Sequence, residues 1–362
     1  MGRTSGVRNL RQILLITHCG CGGAERVTVL YAKLLHKRGY DCRLLIFRCL
    51  TDEFALKPFI PDFLPYDIIC CRYRYAPFHI MRHIFRKKPS CIFYSCSLFT
   101  PILILCTFYA RKMKVVIREC NMPDKHPWIQ AYPAKLFMRY ADALIAQTDE
   151  MKREMSTSYH VDPEKITVIN NPLDTTLIQQ KIKETYQYPS SGCTHYVAVS
   201  RIAPQKDIVT MIRAFAIVLR HNPEVRLEIV GNVHWDMAYK NQVGEVIDEL
   251  GISEYIAFHG FQENPYKYIN AADVFLLSSV YEGLPNVMLE AMYLGKPIVA
   301  TRCIPYISQV VHDGVNGYTV PVSNPSEFAE AMMKARKLRI NDKFVDINDT
   351  EGKIIDLFNA LT

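Results

Sequence analysis

Short apolar segments alternate with segments of helical periodicity along the first half of the chain. The first of them, Gln12–His18 (QILLITH), precedes a glycine-rich turn at 19–23 and a helix predicted over 24–37. Further strands are predicted at 42–47, 68–71, 115–117, 143–146 and 167–169. Apolar strands separated by helices are typical of a mainly parallel sheet that is covered on both faces.

The alternation stops at a polar stretch and then restarts. Residues 184–193 (ETYQYPSSGC) are predicted to be a linker. Beyond them the pattern predicts strands at 196–200, 226–230, 256–259, 274–278 and 298–301, with helices at 207–221, 238–250 and 285–294. The predicted fold class is α/β, with two doubly wound, Rossmann-like domains. Open parallel sheets bind ligands at the carboxyl ends of their strands, so we expect the two domains to face each other across a cleft at those ends.

The length of 362 residues supports two domains, since one hydrophobic core rarely serves so long a chain. Residues 1–185 and 186–340 are assigned to them. Residues 341–362 end in an apolar patch and are predicted to form a C-terminal helix that returns towards the first domain.

Charge is distributed unevenly between the two halves. Residues 1–180 hold 26 Lys and Arg against 15 Asp and Glu, whereas residues 181–362 hold 17 against 21. The basic half contains no recognised module for reading a nucleic-acid groove, so nucleic-acid binding is not expected.

Two features bear on the compartment. Twelve cysteines without paired C-x-x-C spacing, after an amino terminus that lacks a signal-type apolar region, predict reduced thiols in the cytoplasm. The uncharged segment 89–110 has the length of a membrane span, but its serines, threonines and Pro101 favour a buried strand that leads into a buried helix.

The first candidate chemistry lies in the glycine-rich turn. Gly20, Gly22 and Gly23 stand where a dinucleotide fold keeps its phosphate loop, but Glu25 occupies the place of the third glycine of G-x-G-x-x-G. A nicotinamide cofactor is therefore not indicated. The remaining possibilities are a loop whose backbone approaches an anionic ligand at a helix amino terminus and a simple tight turn.

Acidic and basic residues follow two strands of the second half. Glu282 comes directly before a predicted helix, and Glu290 lies on that helix among apolar residues, where a carboxylate needs a partner or a ligand. Arg201 and Lys206 follow another strand at the same expected edge. Two cations near a helix amino terminus suit a diphosphate, although a structural salt bridge and solvated surface cations are the alternatives.

With these motifs the chain resembles the retaining enzymes of glycosyltransferase family 4, which have the two-domain GT-B fold, in their bacterial surface-glycan branch. The resemblance covers nearly the whole sequence. It rests on GGAER at 22–26, SRIAPQK at 200–206, HGFQENPY at 259–266 and the E-x7-E signature within EGLPNVMLEAM at 282–292.

The resemblance implies a role for each motif residue. Arg201 and Lys206 would hold the diphosphate of a nucleotide sugar, and Glu282 with the backbone of Gly283 and Leu284 would bind sugar hydroxyls or nearby phosphate. Glu290 would bind the ribose hydroxyls. The loop at Gly22 and Gly23 would face the phosphates from the first, acceptor-side domain, and Arg201, Lys206 and Glu282 are the catalytic candidates.

Metal ions and cofactors are not expected. No D-x-D motif occurs in the sequence, so cations of the protein would take the place of a metal in stabilising the leaving nucleoside diphosphate. The nucleotide sugar is the one co-substrate. Retention of anomeric configuration is implied by the resemblance alone.

Candidates on the acceptor side come from the first half. The segment VVIRECNMPDKHP at 115–127 resembles a loop of bacterial members that reads R-E-x-N, which singles out Arg118, Glu119 and Asn121. His18, at the end of the first strand, is another possible sugar contact or a packed core histidine.

We therefore expect a cytoplasmic, membrane-associated, metal-independent hexosyltransferase of polysaccharide biosynthesis. It would move a hexose or N-acetylhexosamine, UDP-linked, to a lipid-linked or surface-polysaccharide acceptor. Cations interleaved with aromatics at 72–88, beside an apolar stripe of Ile80, Met81, Ile84 and Phe85, predict binding to an anionic surface at the inner face of the cytoplasmic membrane. A nucleotide-sugar epimerase and an inert sugar-nucleotide-binding protein are the alternatives.

Overall fold

The computed structural model describes residues 12–20, 22–49, 52–95, 99–109, 113–123, 128–190, 192–232, 236–340 and 348–361. Contacts within the chain divide it into two compact units. The first comprises residues 1–172 together with 346–362, and the second comprises residues 173–345. Each unit is an α/β sandwich around its own parallel sheet.

The first unit contains a seven-stranded sheet with the order β3-β2-β1-β4-β5-β6-β7. All described strand pairs are parallel. The strands are β1 (Gln12–His18), β2 (Asp41–Arg48), β3 (Tyr66–Cys70), β4 (Cys91–Ser95), β5 (Lys114–Arg118), β6 (Ala143–Ala146) and β7 (Ile166–Val168). The helices are α1 (Gly23–Lys37), α2 (Ala76–Lys87), α3 (Thr100–Tyr109), α4 (Trp128–Phe137), α5 (Asp149–Tyr159) and, at the end of the chain, α13 (Asn348–Leu361).

The second unit contains a six-stranded parallel sheet with the order β10-β9-β8-β11-β12-β13. Its strands are β8 (Thr194–Val199), β9 (Val225–Val230), β10 (Ile256–Gly260), β11 (Val274–Leu277), β12 (Ile298–Thr301) and β13 (Gly317–Val320). Its helices are α6 (Thr175–Lys181), α7 (Ile208–His221), α8 (Met237–Leu250), α9 (Tyr266–Ala271), α10 (Asn286–Tyr293), α11 (Pro305–Val310) and α12 (Pro325–Ala335).

The boundary between the units lies earlier than the sequence predicts. The chain enters the second unit at Leu173 rather than after residue 185. The predicted linker is packed against this unit, because the Tyr188 ring stacks on His195 at a centroid distance of 4.3 Å and its hydroxyl donates to the Tyr268 carbonyl at 2.9 Å. The polar composition of the segment concealed Tyr188, which is buried, and Tyr186, whose half-buried ring lies 4.4 Å from that of Tyr268.

Among the described residues of the apolar segment 89–110 are the strand β4 and the helix α3, as the sequence predicts. Strand β4 is buried along its whole length, and α3 follows it. Within the part of the chain that the structure describes, no helix combines the length and the apolar character needed to cross a membrane.

Candidate active site

Two motif segments of the second unit meet at the carboxyl edge of its sheet. Residues 200–206 follow β8, and residues 278–282 follow the neighbouring strand β11. The Val280 amide donates to the Gln205 carbonyl at 2.9 Å, and the Ser278 hydroxyl donates to the Lys206 carbonyl at 2.7 Å. The sheet order and these bonds place both segments in one compact site.

The centre of this site is an ion pair between Lys206 Nζ and Glu282 Oε1. The Ser279 hydroxyl donates to the same carboxylate oxygen at 2.6 Å. Both charged side chains are mostly buried, with exposed fractions of 15% for Lys206 and 9% for Glu282. Because both side chains are buried, removal of either would leave the charge of the other uncompensated. The neighbouring Cys303 thiol is also buried, and this burial, with the negative charge of Glu282 as the second cause, raises its pKa to about 12.

Arg201 presents its guanidinium at the exposed side of the same segment. Its Nη2 donates to Gln205 Oε1 at 3.3 Å, and the residue is exposed. The backbone beneath it is held closely, since Gly231 has a φ of 141° and a Cβ there would lie 1.9 Å from the Ser200 carbonyl oxygen. A glycine is therefore required where β9 passes the start of the motif.

Helix α10 carries the second glutamate of the E-x7-E signature. Pro285 caps the helix directly after Gly283 and Leu284, both of which are buried. Glu290 is buried, and its Oε1 accepts a hydrogen bond from the Tyr266 hydroxyl at 3.2 Å. The structure thus connects the HGFQENPY segment with the signature helix.

In the first unit, the glycine-rich turn lies between β1 and α1. Gly22 is the N-cap residue of α1, and Gly23 is its first residue. The Gly20 amide donates to Nδ1 of His18 at 3.2 Å. His18 therefore contacts the turn itself, which the sequence pattern did not indicate.

The opposite nitrogen of His18 has two further neighbours. Asp52 Oδ2 lies 3.2 Å and the Tyr73 hydroxyl 3.1 Å from Nε2. Burial, with the charge of Asp52 second, raises the pKa of Tyr73 to about 12, so its hydroxyl stays protonated at neutral pH. Sequence reasoning missed Asp52, because no motif surrounds it and it follows its strand by four residues.

His18, Cys19 and Asp52 offer ligand atoms that all lie within 4.8 Å of one another, a spacing at which a metal ion could bind. The hydrogen bond from the Gly20 amide requires a lone pair on Nδ1 of His18, which leaves the proton of a neutral imidazole on Nε2. The nitrogen that faces Asp52 then has no lone pair for a metal. The three groups fit a hydrogen-bonded cluster better than a metal centre.

The acceptor-side candidates are arranged differently from what their polarity suggests. Arg118 and Glu119 are buried, with exposed fractions of 1% and 0%. Arg118 donates to Asn171 Oδ1, and Glu119 Oε1 accepts from the amides of Cys120 at 2.8 Å and Asn121 at 3.4 Å. Arg118 and Glu119 therefore support the loop after β5 from the interior of the first unit. Asn121, which is half-buried, is the member of the motif with accessible surface.

Two family models match the chain, one on each half. The model of Glycosyltransferase Family 4 matches residues 21–177, and the model of Glycosyl transferases group 1 matches residues 191–346. The four motifs lie inside these two ranges, whereas His18 and Gly20 lie just before the first of them.

Similar proteins agree with both models. An N-acetylgalactosamine-N,N'-diacetylbacillosaminyl-diphospho-undecaprenol 4-alpha-N-acetylgalactosaminyltransferase of Campylobacter jejuni is 24% identical over 357 residues, covering 90% of this chain and 91% of that protein. An uncharacterised glycosyltransferase of Methanocaldococcus jannaschii is 30% identical over 173 residues, which are 47% of this chain but only 42% of that protein.

The fold has a close counterpart among solved structures. Anabaena HepE in complex with UDP-glucose has a TM-score of 0.80 at 20% identity, covering 96% of this chain and 99% of that chain. This likeness shows the GT-B fold. With a glycosyltransferase model on each half and this fold, the chain belongs to glycosyltransferase family 4.

Proposed function

We propose that the protein transfers a hexose or an N-acetylhexosamine from a UDP-sugar to a lipid-linked or surface-polysaccharide acceptor, with retention of anomeric configuration. The name of the Campylobacter jejuni relative describes transfer to a diphospho-undecaprenol glycan, and the Anabaena structure holds UDP-glucose. Retention is proposed from family membership. The observation that carries the proposal is the buried Lys206–Glu282 pair beside the exposed Arg201.

The reaction breaks the bond between the anomeric carbon and the diphosphate oxygen. The acceptor oxygen forms the new bond to that carbon and gives up its proton, while the nucleoside diphosphate leaves with the bonding electrons and its oxygen can accept that proton. Negative charge therefore grows on the diphosphate, where Arg201 can bind two oxygens in fork geometry and Lys206 adds a point charge. Electrostatic stabilisation of this kind is commonly the largest contribution to catalysis.

The remaining donor contacts follow from the same assignment. Glu282 and the backbone at Gly283 and Leu284 are proposed to bind the sugar, and Glu290 is proposed to accept hydrogen bonds from the ribose hydroxyls. Gly22 and Gly23 start α1, and the dipole of a helix favours an anion at its amino terminus. We assign the diphosphate as that anion.

The proposed chemistry needs neither a metal ion nor a cofactor besides the nucleotide sugar. Protein cations supply the positive charge that a metal would otherwise provide. Activity is expected to persist unchanged in excess EDTA after dialysis, measured as release of nucleoside diphosphate. Loss of activity that added Mg²⁺ or Mn²⁺ restores would contradict this part of the proposal.

A donor panel tests the function as a whole. UDP-, GDP- and ADP-sugars are incubated with and without a bacterial lipid extract, and release of nucleoside diphosphate is scored. We expect acceptor-dependent release from one or two UDP-sugars, and NMR of the product should show the anomeric configuration of the donor. Conversion to an epimer would indicate the epimerase, and UDP-sugar binding without turnover would indicate an inert binder.

We propose that the protein associates with the membrane through α2 and the residues before it. The face of the helix involved differs from the apolar stripe that the sequence suggested. Ile80 and Ile84 are buried in the core of the first unit and Met81 packs against it, so three of the four residues of the predicted apolar stripe face inwards, whereas Phe85 is exposed. The outward face instead carries aromatic and cationic side chains three and four residues apart. Its members are Phe78, Arg82, Phe85 and Arg86.

Such a face suits the interface of an anionic membrane, with about 1 kcal/mol for each cation near the surface. We therefore place the enzyme, peripherally, at the inner leaflet of the cytoplasmic membrane. Co-sedimentation with anionic liposomes should fall with rising salt. Neutralising Arg82, Arg86, Lys87 and Lys88 should abolish it, and binding that survives this change would refute the assignment. The matched control neutralises four exposed cations of the second unit, Arg213, Arg220, Lys240 and Lys337.

A further inference from the structure

Asp52 is held in place by its own stretch of chain. Its Oδ2 accepts a hydrogen bond from the Cys49 amide at 2.9 Å, and its backbone carbonyl accepts one from Arg48 Nε at 2.7 Å. The side chain is about a quarter exposed. Its carboxylate thus has a defined position at the carboxyl end of β2 before any contact with β1 is considered.

The imidazole of His18 is held from both ends. Its Nδ1 accepts from the Gly20 amide at 3.2 Å, and its Nε2 faces Asp52 Oδ2 at the same distance. The ring of Phe47 packs at a centroid distance of 5.8 Å, and that of Tyr73 stacks at 6.2 Å. Only the tautomer with the proton on Nε2 satisfies both ends, and Asp52 favours this tautomer.

We infer that Asp52 is a positioning residue that acts through His18 on the glycine-rich turn. The chain of contacts runs from Asp52 to Nε2 of His18, and from Nδ1 to the Gly20 amide. Gly22 caps α1 two residues later. The consequence for catalysis rests on the proposed function, in which this turn binds the donor diphosphate.

Loss of the carboxylate has a defined effect in this arrangement. Without Asp52, Nε2 still faces the Tyr73 hydroxyl, which can donate as well as accept, so His18 can move its proton to Nδ1, which then points at another donor, the Gly20 amide. The turn loses its acceptor and its amides are no longer held for the diphosphate. A misplacement of about 1 Å in such a group can cost up to a hundredfold in rate.

A second aspartate–histidine pair of the same unit provides a matched control. Asp67 Oδ2 lies 3.5 Å from Nε2 of His83 and also contacts Arg43 and Lys87. Asp67 has an exposed fraction of 30%, close to the 26% of Asp52. Its pair lies between β3 and α2 and has no described contact with the glycine-rich turn, so Asp67→Ala removes a similar contact without the proposed consequence.

The experiment compares Asp52→Ala, Asp52→Asn and Asp67→Ala in the full chain. Asp52→Ala should weaken UDP binding by calorimetry, and raise the donor KM, by about tenfold, whereas Asp67→Ala should change neither. Asp52→Asn should restore part of the affinity, because its amide oxygen can accept from Nε2. In ¹⁵N-histidine NMR, the His18 signals should show the Nε2–H tautomer in the wild type and a mixture in Asp52→Ala.

A double-mutant cycle adds a readout that general destabilisation would not produce. In a His18→Gln background, Asp52→Ala should cost little further UDP affinity, since the imidazole through which Asp52 acts on the turn is already absent. Additive effects, or an unchanged His18 tautomer in Asp52→Ala, would overturn the inference. If the wild type failed to bind UDP, the proposed function would fail, while the NMR comparison would still decide whether Asp52 orients His18.

Discussion

Arg201 is the residue at which function can be separated most cleanly from stability. Its side chain is exposed and bonds only to Gln205 among the described contacts, so its removal should leave the fold intact. Arg201→Ala is expected to lower transfer by about tenfold or more, with an unchanged thermal midpoint. Arg213→Ala, an exposed cation on α7, is the control. Equal activity of the two variants would contradict the assignment.

Lys206 differs because its charge balances a buried carboxylate. Lys206→Ala should abolish most activity and also lower the free energy of unfolding by about 3 kcal/mol, since Glu282 is left with an uncompensated charge. Urea unfolding measures this cost. The double variant Lys206→Ala with Glu282→Ala should recover stability but no activity, and a single variant as stable as the wild type would show that the pair contributes little.

Glu290 offers a test with modified nucleotides. If its carboxylate binds the ribose hydroxyls, Glu290→Gln should weaken UDP binding by about tenfold, in line with hydrogen bonds to a charged group. The same variant should bind 2′,3′-dideoxy-UDP as weakly as the wild type does. A loss of equal size for both nucleotides would instead indicate a structural role through Tyr266, which donates to this carboxylate at 3.2 Å.

Three neighbouring strands of the second unit share a buried acidic and imidazole cluster. Glu228 of β9 accepts from Nδ1 of His195 on β8 and from Nε2 of His259 on β10, each at 2.8 Å. Nε2 of His195 faces the Ser190 carbonyl at 3.0 Å, so both nitrogens of His195 donate. Burial opposes each charge, but the hydrogen bonds outweigh it, and they raise the pKa of His195 and lower the pKa of Glu228.

The signs of these shifts define a pH dependence. The raised pKa of His195 gives stability that is present below its ordinary value of 6.5 and is lost as pH rises through the folded-state value. The lowered pKa of Glu228 gives stability that is lost only in acid, as pH falls below its ordinary value of 4.5. The thermal midpoint of the second unit should therefore decrease from pH 6 to above pH 7. His195→Gln should flatten this decrease, whereas His221→Gln, at an exposed position, should not.

Elements with a strong apolar pattern were predictable from sequence, and elements set by tertiary packing were not. Strand β1 occupies Gln12–His18 as predicted, because its residues 13–17 are mostly apolar and are buried without interruption. Strand β13 (Gly317–Val320) was missed, since it is short and two of its four residues are half-buried. The apolar stripe of α2 was assigned wrongly to the membrane for Ile80, Met81 and Ile84, because periodicity locates an apolar stripe but not whether the core or the solvent lies against it.

The candidate site shows the same division. Short-range motifs indicated Lys206 and Glu282, and the alternation of strands and helices predicted that both lie at the carboxyl edge of one parallel sheet, but the strand order that makes them neighbours was not predicted. Asp52 carries no local pattern, and its contact with His18 depends on how β1 and β2 end side by side. The burial of Arg118 and Glu119 likewise depends on side chains from later segments.

At the scale of the whole molecule, one helix of the first unit follows the second unit in sequence. Helix α13 places Ile354 and Phe358 in the core of the first unit, both with an exposed fraction of 0%. The ring of Phe358 lies 6.2 Å from that of Phe93, and the Tyr40 hydroxyl donates to Asn359 Oδ1 at 2.6 Å. The core of the first unit therefore includes side chains of α13, although the second unit lies between this helix and the rest of the first unit in sequence.

Phe358→Ala tests this dependence. Removing a fully buried phenylalanine typically costs about 3 to 5 kcal/mol, and here the loss should fall on the first unit alone. Calorimetry of the variant should show one transition moved to lower temperature and one unchanged, because each unit has its own core. Lys353→Ala, an exposed change on the same helix, should move neither transition. A uniform shift of both transitions would show that the two units unfold together, and no shift would show that α13 is dispensable for stability.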